Sequence, residues 1–380
     1  MENIKKAKRI GIDARFYGPL GKGLGRYTQE IVDNIIKLDQ DNEYVIFLCR
    51  ENFLDFLSDN PKVKKVLADI KWYGFAEQIF FPFYILRERL DLMHFLHFNV
   101  PIFCPVKFIV TIHDLILIKF PTPRATALGP VIYKIKNLAY KLVIYSALKR
   151  ARKVLAVSEY TKNDIVGQFK IKPDKIIVTY EGVAELVNAG ESGEISEVLK
   201  KYNIGRPYLL YVGNAYPHKN LEGLIKVFSE ISKVKPELKL VLVGKEDYFY
   251  RRLKQYAKNF SNNIIFPGYV PDNELRALYA EATLYIFSSF YEGFGLPPLE
   301  AMAYGLAVVS SDKTCLPEIL GEAAIYFNPD DETDMKNKIK EVLVNEKLRE
   351  NLRERGYLQA KKYSWINCAK LTLEVYKNCL

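Results

Sequence analysis

No stretch of this 380-residue chain stays apolar for the roughly 18 to 20 residues that a membrane-spanning helix needs. The opening MENIKKAKRIGIDA also lacks a signal-peptide core and passes straight into a strand pattern. A spanning segment and a secretory leader are therefore set aside, and the expectation is a cytoplasmic protein. Cysteine is scarce. Cys49, Cys104, Cys315, Cys368 and Cys379 are odd in number, scattered and never in a Cys-x-x-Cys pair, so neither a disulfide framework nor a zinc site is expected; the thiols are read as reduced. The dinucleotide fingerprint is missing too: the glycine-rich GKGLG at Gly21 to Gly25 has the spacing Gly-x-Gly-x-Gly and stands well after the strand end at Ala14. Asp39-Gln40-Asp41 spells Asp-x-Asp but follows a helix in a polar turn, and is read as loop. No internal repeat or low-complexity tract occurs.

What the chain has is an uneven excess of positive charge. The net charge is +10, with 29 Lys/Arg against 19 Asp/Glu in residues 1 to 184 and 26 of each in the rest. Between Asp114 and Glu159 there is no acidic residue at all. Much of that stretch, GPVIYKIKNLAYKLVIYSALKRARK, has helical spacing, with Ile135, Leu138 and Leu142 on one face and Lys134, Lys141, Lys149 and Arg150 among tyrosines. A basic, tyrosine-bearing amphipathic helix of this kind suits an anionic membrane surface. The competing reading is a core-packed helix with a solvated basic face. Nucleic acid is not expected as a partner, since the charge comes with no nucleic-acid-binding motif.

Strand-like and helix-like segments alternate through both halves. RIGIDA, YVIFLC, DLMHFL, KFIVTI, KVLAVS and KIIVTY in the first, and YLLYVG, LKLVLVG, NIIFPG, TLYIFSS, LAVVSS and AAIYF in the second, are separated by helical patterns. This is the signature of α/β structure with parallel sheets covered by helices. The polar, glycine-bearing segment around AELVNAGESGEISEVLKKYNIGRP interrupts the series and reads as a linker. The expected organisation is a domain over 1–184, a linker over 185–205, a second domain over 206–361, and a terminal amphipathic helix over 362–380. Each domain is a doubly wound sheet, and such sheets bind ligands beyond the carboxyl ends of their strands.

Three constellations fall at such ends. In SSFYEGFGLPPLEAMAYG, a strand is followed by Glu292, a turn through Gly293, Phe294, Gly295 and Leu296, and a helix opened by Pro297 and Pro298, with Glu300 one turn in and Gly305 past the end. The unpaired N–H groups of that helix end suit a phosphate. Pairing Glu292 and Glu300 across Gly-Phe-Gly and Pro-Pro makes a phosphate cradle flanked by two acceptors for hydroxyl groups, although either glutamate alone has an ordinary structural explanation. In YVGNAYPHKNLEGLI, Asn214, His218 and Lys219 lie between a strand end and the next helix, where a lysine can meet a diphosphate as a point charge. In VTIHDL, His113 ends a buried strand, placed either to bond a substrate hydroxyl or to serve as a structural histidine.

The Glu292-to-Glu300 segment, with GKGLGRYTQEIV, VTIHDLILIKFP, LAVSEYTKNDIV, YVGNAYPHKNL, GYVPDNELRALYAEATLYIFSS and LPEILGEAAIYFNPDD in this order, resembles the family-4 retaining glycosyltransferases of the GT-B fold over nearly the whole chain. The resemblance implies two Rossmann-like domains facing a cleft, with the terminal helix packing back on the first domain. It implies transfer of a hexose, of mannose or glucose type, from a GDP- or UDP-linked donor to a glycan or lipid-linked acceptor, by same-face attack and with neither metal nor cofactor. Glu292 would then bind sugar hydroxyls, Gly293 to Leu296 would contact the sugar phosphate by backbone, and Glu300 would hold the ribose. Lys219 would neutralise the diphosphate, Gly23 and Gly25 would approach it from the first domain, His113 would face the reacting sugar and Val270 would lie toward the base. One departure stands out: where the family commonly carries arginine, this chain has Asn214 and His218, so a partly protonated His218 is expected to assist Lys219. Mannose-type donors are favoured by TIHDL with KNLEGLI, again by resemblance. The rival readings are a non-catalytic sugar-nucleotide-binding relative, an NAD-dependent oxidoreductase supported only by Glu51, and a glycosidase.

Overall fold

The computed structural model describes residues 7–19, 22–120, 130–183 and 192–380, with side chains undescribed for 22, 130–136 and 192. The chain divides into two compact units. One contains the described residues up to 120, those from 130 to Gly182, and Ser364–Leu380; the other contains those from Val183 to Tyr363.

The first unit runs β1 (Arg9–Asp13), α1 (Lys22–Leu38), β2 (Glu43–Leu48), β3 (Val63–Leu67), α2 (Phe75–Arg87), β4 (Leu92–Phe95), β5 (Phe108–Ile112), α3 (Ile116–Lys119), α4 (Pro130–Arg150), β6 (Val154–Ala156), α5 (Glu159–Phe169) and β7 (Ile176–Val178). Its strands form one parallel sheet in the order β3-β2-β1-β4-β5-β6-β7. Six of these strands stand where the apolar runs predict them. The seventh, β3, has the sequence VKKVL and escaped because its two lysines interrupt the apolar run. It lies at the sheet edge, where charge is tolerated and discourages further pairing. Alternate residues of the central strands, Val45, Phe47, Met93, Phe95, Val110 and Ile112, share one core with Phe81 and Ile85 of α2 and Ile144 and Leu148 of α4. These two helices therefore cover the same face of the sheet.

The second unit runs α6 (Ser192–Lys201), β8 (Tyr208–Val212), α7 (Leu221–Val234), β9 (Lys239–Val243), α8 (Tyr248–Ala257), β10 (Ile264–Gly268), α9 (Asp272–Glu281), β11 (Leu284–Phe287), α10 (Leu296–Ala303), β12 (Val308–Ser311), α11 (Leu316–Leu320), β13 (Ala324–Phe327), α12 (Glu332–Val344) and α13 (Glu346–Ala360). Its parallel sheet has the order β10-β9-β8-β11-β12-β13, and all six strands are those read from the sequence. The linker assignment is corrected. Ten of the residues assigned to it form α6, which buries Ile195 and Leu199 and packs against α9, with Lys201 and Tyr202 both bonded to Glu274. Two apolar residues four apart suffice to dock a short helix, whatever the glycines beside them suggest.

The chain ends in α14 (Trp365–Cys379), which belongs to the first unit and packs on α1. There the Tyr376 hydroxyl lies 2.7 Å from Nδ1 of the buried His94. All five cysteines are free, and only Cys379 is not fully buried. No described helix is long and apolar enough to cross a membrane.

Candidate active site

In the second sheet the strand order reverses between β8 and β11, and a doubly wound sheet opens its binding crevice at such a point. Both sequence constellations of this unit leave from those two strands. After β8, residues 213–216 lead into a 3₁₀ turn, Pro217–Lys219. After β11, residues 288–295 lead into α10. The two segments are laced together: the Phe290 N–H donates to the His218 carbonyl at 2.8 Å, and Ser288 Oγ donates to the Lys219 carbonyl at 2.8 Å. Lys219 Nζ then meets Glu292 Oε1 at 2.6 Å, both side chains largely buried. The diphosphate cation and the sugar-binding carboxylate inferred separately from sequence are thus one ion pair, 73 residues apart in the chain. Lys219 also lies 5.7 Å above the Phe287 ring, where the negative face of the ring favours a cation.

The turn after Glu292 is held from the next strand loop. The Glu292 N–H donates to Thr314 Oγ1 at 3.1 Å, and the Cys315 thiol donates to the Glu292 carbonyl at 3.3 Å. Thr314 adopts a left-handed φ of 59°, an uncommon conformation for a non-glycine residue. Neither residue carried a signal in the sequence, because their contribution lies in contacts across 22 and 23 residues. Gly295 caps α10 with φ 96° and ψ 49°, and the prolines follow in its first turn. An added Cβ at Gly295 would also come within 2.8 Å of Leu316 Cδ2, the end of a side chain, so it is the left-handed φ that requires glycine here. Pro297 and Pro298 carry no N–H, so of the first three residues of α10 Leu296 alone offers a main-chain donor, one that the helix itself does not use. Glu300, one turn in and buried, accepts from the Tyr279 hydroxyl at 3.3 Å. Ser289 Oγ is buried nearby in sequence with no hydrogen-bond partner.

Other predicted contributors also have partners within the unit. The Phe294 side chain is buried edge-on to Tyr363 at 5.6 Å, leaving its backbone for the turn. Asn214 organises its own loop, its Oδ1 accepting from the Tyr216 N–H at 3.3 Å and its carbonyl from the Tyr211 hydroxyl at 2.8 Å. Val270 is buried just past the end of β10. The expectation of a partly protonated His218 is overturned: burial, joined by the neighbouring Lys219 cation, pushes its pKa down to about 3. Lys219 is the cation of this site without assistance from His218.

In the first unit, His113 follows β5 at its carboxyl end. Both ring nitrogens are engaged, Nδ1 with Glu181 Oε1 at 3.2 Å and Nε2 with the Leu96 carbonyl at 2.9 Å. Since a carbonyl and a carboxylate both accept, the ring is best satisfied as an imidazolium donating from each nitrogen. Burial opposes that charge, but the hydrogen bond and the negative charge of Glu181 outweigh it and hold the His113 pKa above its ordinary 6.5. Glu181, just past β7, was not singled out in the sequence although it occupies the same kind of strand end. Because the folded-state value is raised, this pairing stabilises the unit fully below about pH 6.5 and fades as pH rises through the folded value. In Glu181→Gln the His113 midpoint, followed by NMR of the ring protons, is expected to move down; an unchanged midpoint would deny the carboxylate its hold on the ring.

Gly23 and Gly25, read as a turn before the first helix, lie within the first turn of α1. The two differ. An added Cβ at Gly25 would meet the Gly18 carbonyl oxygen at 2.0 Å, whereas nothing lies within 4 Å of one at Gly23. Gly25→Ala is expected to lower stability by about 1–3 kcal/mol and Gly23→Ala to change it by well under 1 kcal/mol; equal thermal midpoints would remove the close approach. On α4 the apolar face is also reversed from the core-packed reading. Leu138 and Leu142 are exposed, and Ile144, Ala147 and Leu148 enter the core instead. Lys141 and Lys149 are exposed, Arg150 Nη2 donates to the Cys104 carbonyl at 2.9 Å, and the side chains of Lys134 and Ile135 lie outside the described residues.

Comparison with known proteins agrees with this arrangement. Residues 21–185 match the family described as Glycosyltransferase Family 4, and residues 194–359 match Glycosyl transferases group 1. The chain is 29% identical over 377 residues to O-antigen chain mannosyltransferase B of Escherichia coli, covering 93% of this chain and 96% of that one. It is 27% identical over 293 residues to O-antigen chain mannosyltransferase RfbU of Salmonella typhimurium, covering 76% and 74%. Among solved structures, sucrose-phosphate synthase of Thermosynechococcus elongatus aligns with a TM-score of 0.76 at 17% identity, over 98% of both chains. Anabaena HepE in complex with UDP-glucose aligns with a TM-score of 0.72 at 15% identity, over 98% of this chain and all of that one. The fold is GT-B, the two family matches together span most of the chain, and the protein is a glycosyltransferase belonging to the group 1 and family 4 glycosyltransferases.

Proposed function

We propose that this enzyme transfers a mannosyl residue from a nucleotide-diphosphate mannose to a hydroxyl of a growing O-antigen-type glycan or its lipid-linked precursor, with retention at the anomeric carbon. The observation that carries the reading is the Lys219–Glu292 pair at the switch point of the second sheet, beside the glycine-capped start of α10. A cation beside the positive end of a helix dipole, with the Leu296 N–H, suits a diphosphate, and two buried carboxylates, Glu292 before the turn and Glu300 within the helix, suit sugar and ribose hydroxyls. The names of the O-antigen mannosyltransferases it resembles support mannose as the sugar, and the UDP-glucose complex of HepE supports a nucleotide-diphosphate donor.

Glu292 is held against Lys219, so its carboxylate is better suited to orienting hydroxyls than to attacking carbon. The leaving diphosphate then takes the proton from the acceptor hydroxyl on the same face as the new bond, and the charge it gains is met by Lys219 and the α10 N-terminus. This arrangement calls for no metal, and the reaction is expected to survive EDTA. His113 has both ring nitrogens taken within the first unit, by Glu181 and the Leu96 carbonyl, and is assigned no proton to donate in this reaction. The test is a transfer assay over GDP- and UDP-linked hexoses with glycan and lipid-linked acceptors, the anomeric configuration of the product being read by NMR. Turnover with a mannose donor and an α product supports the reading; turnover confined to another sugar, or a β product, overturns it.

A further inference from the structure

α2 is apolar on both of its sides. Glu77, Phe81, Pro82 and Ile85 are turned inward, while Phe75, Ile79, Phe80, Phe83 and Leu86 face solvent, Phe75 at 89% and Phe83 at 64% relative exposure. The helix is held against rolling its outer residues into the core. Glu77 is pinned by Arg15 Nη2 at 2.6 Å and by the Tyr73 N–H at 2.9 Å, and a buried carboxylate of this kind has no second place to go. The outer surface extends beyond the helix. The Ile102 N–H donates to Gln78 Oε1 at 2.9 Å, which ties to α2 the turn that carries Phe103, itself 81% exposed. The Arg150 bond to Cys104 ties the same turn to the end of α4, a helix on which Tyr145 and, further back, Leu142 and Leu138 are exposed.

The exposed charge on and beside these helices is mainly positive. Lys71, Arg87, Lys107, Lys141 and Lys149 are exposed. Between Lys71 and Lys107 the acidic residues are Glu77 and Glu88, both buried, and Asp91, which is taken by the Arg9 N–H and lies 4.0 Å from Lys8. α4 has none. An apolar face of this extent on a folded unit marks an interaction site. A symmetric contact with a second copy would press two such basic rims together, whereas an anionic lipid surface offers an apolar interior beneath a negative layer.

We propose that the face formed by α2, the Phe103 turn and the outer side of α4 docks onto an anionic lipid bilayer. The α2 aromatics enter the boundary between headgroups and acyl chains, and the flanking lysines and arginines meet the headgroups. The inference is independent of the proposed donor and acceptor. The experiment is co-sedimentation of the full chain with phosphatidylcholine vesicles and with equal mixtures of phosphatidylcholine and phosphatidylglycerol. The protein is expected to pellet with the anionic vesicles and to be released as salt rises. Phe80→Ser with Phe83→Ser should weaken partitioning by about tenfold or more, and Lys141→Glu with Lys149→Glu should remove the preference for anionic lipid. Circular dichroism and thermal midpoints should be unchanged, since all four residues are exposed. The serine pair should also retain the wild-type rate on a soluble acceptor, which separates a failure of docking from a failure of the transfer reading. Wild-type protein left in the supernatant with both vesicles, or a serine pair that binds like wild type, would overturn the proposal. So would a wild-type dimer in sedimentation velocity that the serine pair dissociates in the absence of vesicle binding.

Discussion

Lys219→Ala is expected to lower turnover by about 10²-fold or more, with a smaller rise in KM, when initial rates are measured over a range of nucleotide-sugar concentrations. The asymmetry follows from where the charge is needed: the diphosphate gains negative charge as the glycosidic bond breaks, so a fixed cation counts for more in the transition state than in the bound donor. A second effect adds to it, since removing Lys219 leaves the Glu292 carboxylate buried without the partner it meets at 2.6 Å. Two variants separate these contributions. Glu292→Gln keeps the cation and removes the opposing charge, and the double variant shows how far the two residues act as a unit. No compensation from His218 is expected, because burial, the larger of the two causes that push its pKa down, persists when Lys219 is removed. A Lys219→Ala enzyme with wild-type turnover would place the diphosphate elsewhere and remove the basis of the proposed chemistry.

Glu77→Ala is expected to cost the first unit about 3–5 kcal/mol, the usual consequence of stranding a buried charge. Arg15 has no exposed side-chain surface. Its guanidinium donates from Nη2 to Asp13 at 2.7 Å and to Glu77 at 2.6 Å, from Nε to Asp13 at 2.8 Å and from Nη1 to the Ile70 carbonyl at 3.3 Å. It also lies 4.0 Å above the Phe81 ring. Deleting Glu77 removes one of its two carboxylates and frees the Tyr73 N–H that orients the start of α2. Both tryptophans, Trp72 and Trp365, belong to the first unit, so urea unfolding followed by tryptophan fluorescence reports this unit in particular. A loss below about 1 kcal/mol would mean that water or a neighbouring group satisfies Arg15 as well as Glu77 does.

The sequence was legible where the physical signal is local. Runs of branched and aromatic residues ending in glycine or serine marked twelve of the thirteen strands, because burial on both faces of a parallel sheet leaves no room for polar residues. The exception, β3, is an edge strand whose lysines hide it. Gly295 and the prolines after it marked the start of α10, since few residues other than glycine tolerate the left-handed position there. The reading weakened wherever orientation mattered. Leu138 and Leu142 have the spacing of a core face and yet point outward, and in α2 most of the large apolar residues, Phe75, Ile79, Phe80, Phe83 and Leu86, are exposed. Which way such a helix turns is set by neighbours distant in sequence, above all by the buried Arg15 that takes Glu77 across 62 residues.

By itself, the sequence determined the α/β class, the two successive doubly wound sheets and the turn that carries Glu292, because each follows from residue type and spacing within a dozen positions. Tertiary structure alone decided that Lys219 is neutralised by Glu292, that His218 is uncharged, that Glu181 holds His113, and that α2 presents phenylalanines to solvent. The physical reason is that charge state and side-chain direction depend on burial and on partners tens of residues away, quantities that come into existence only when the chain has folded.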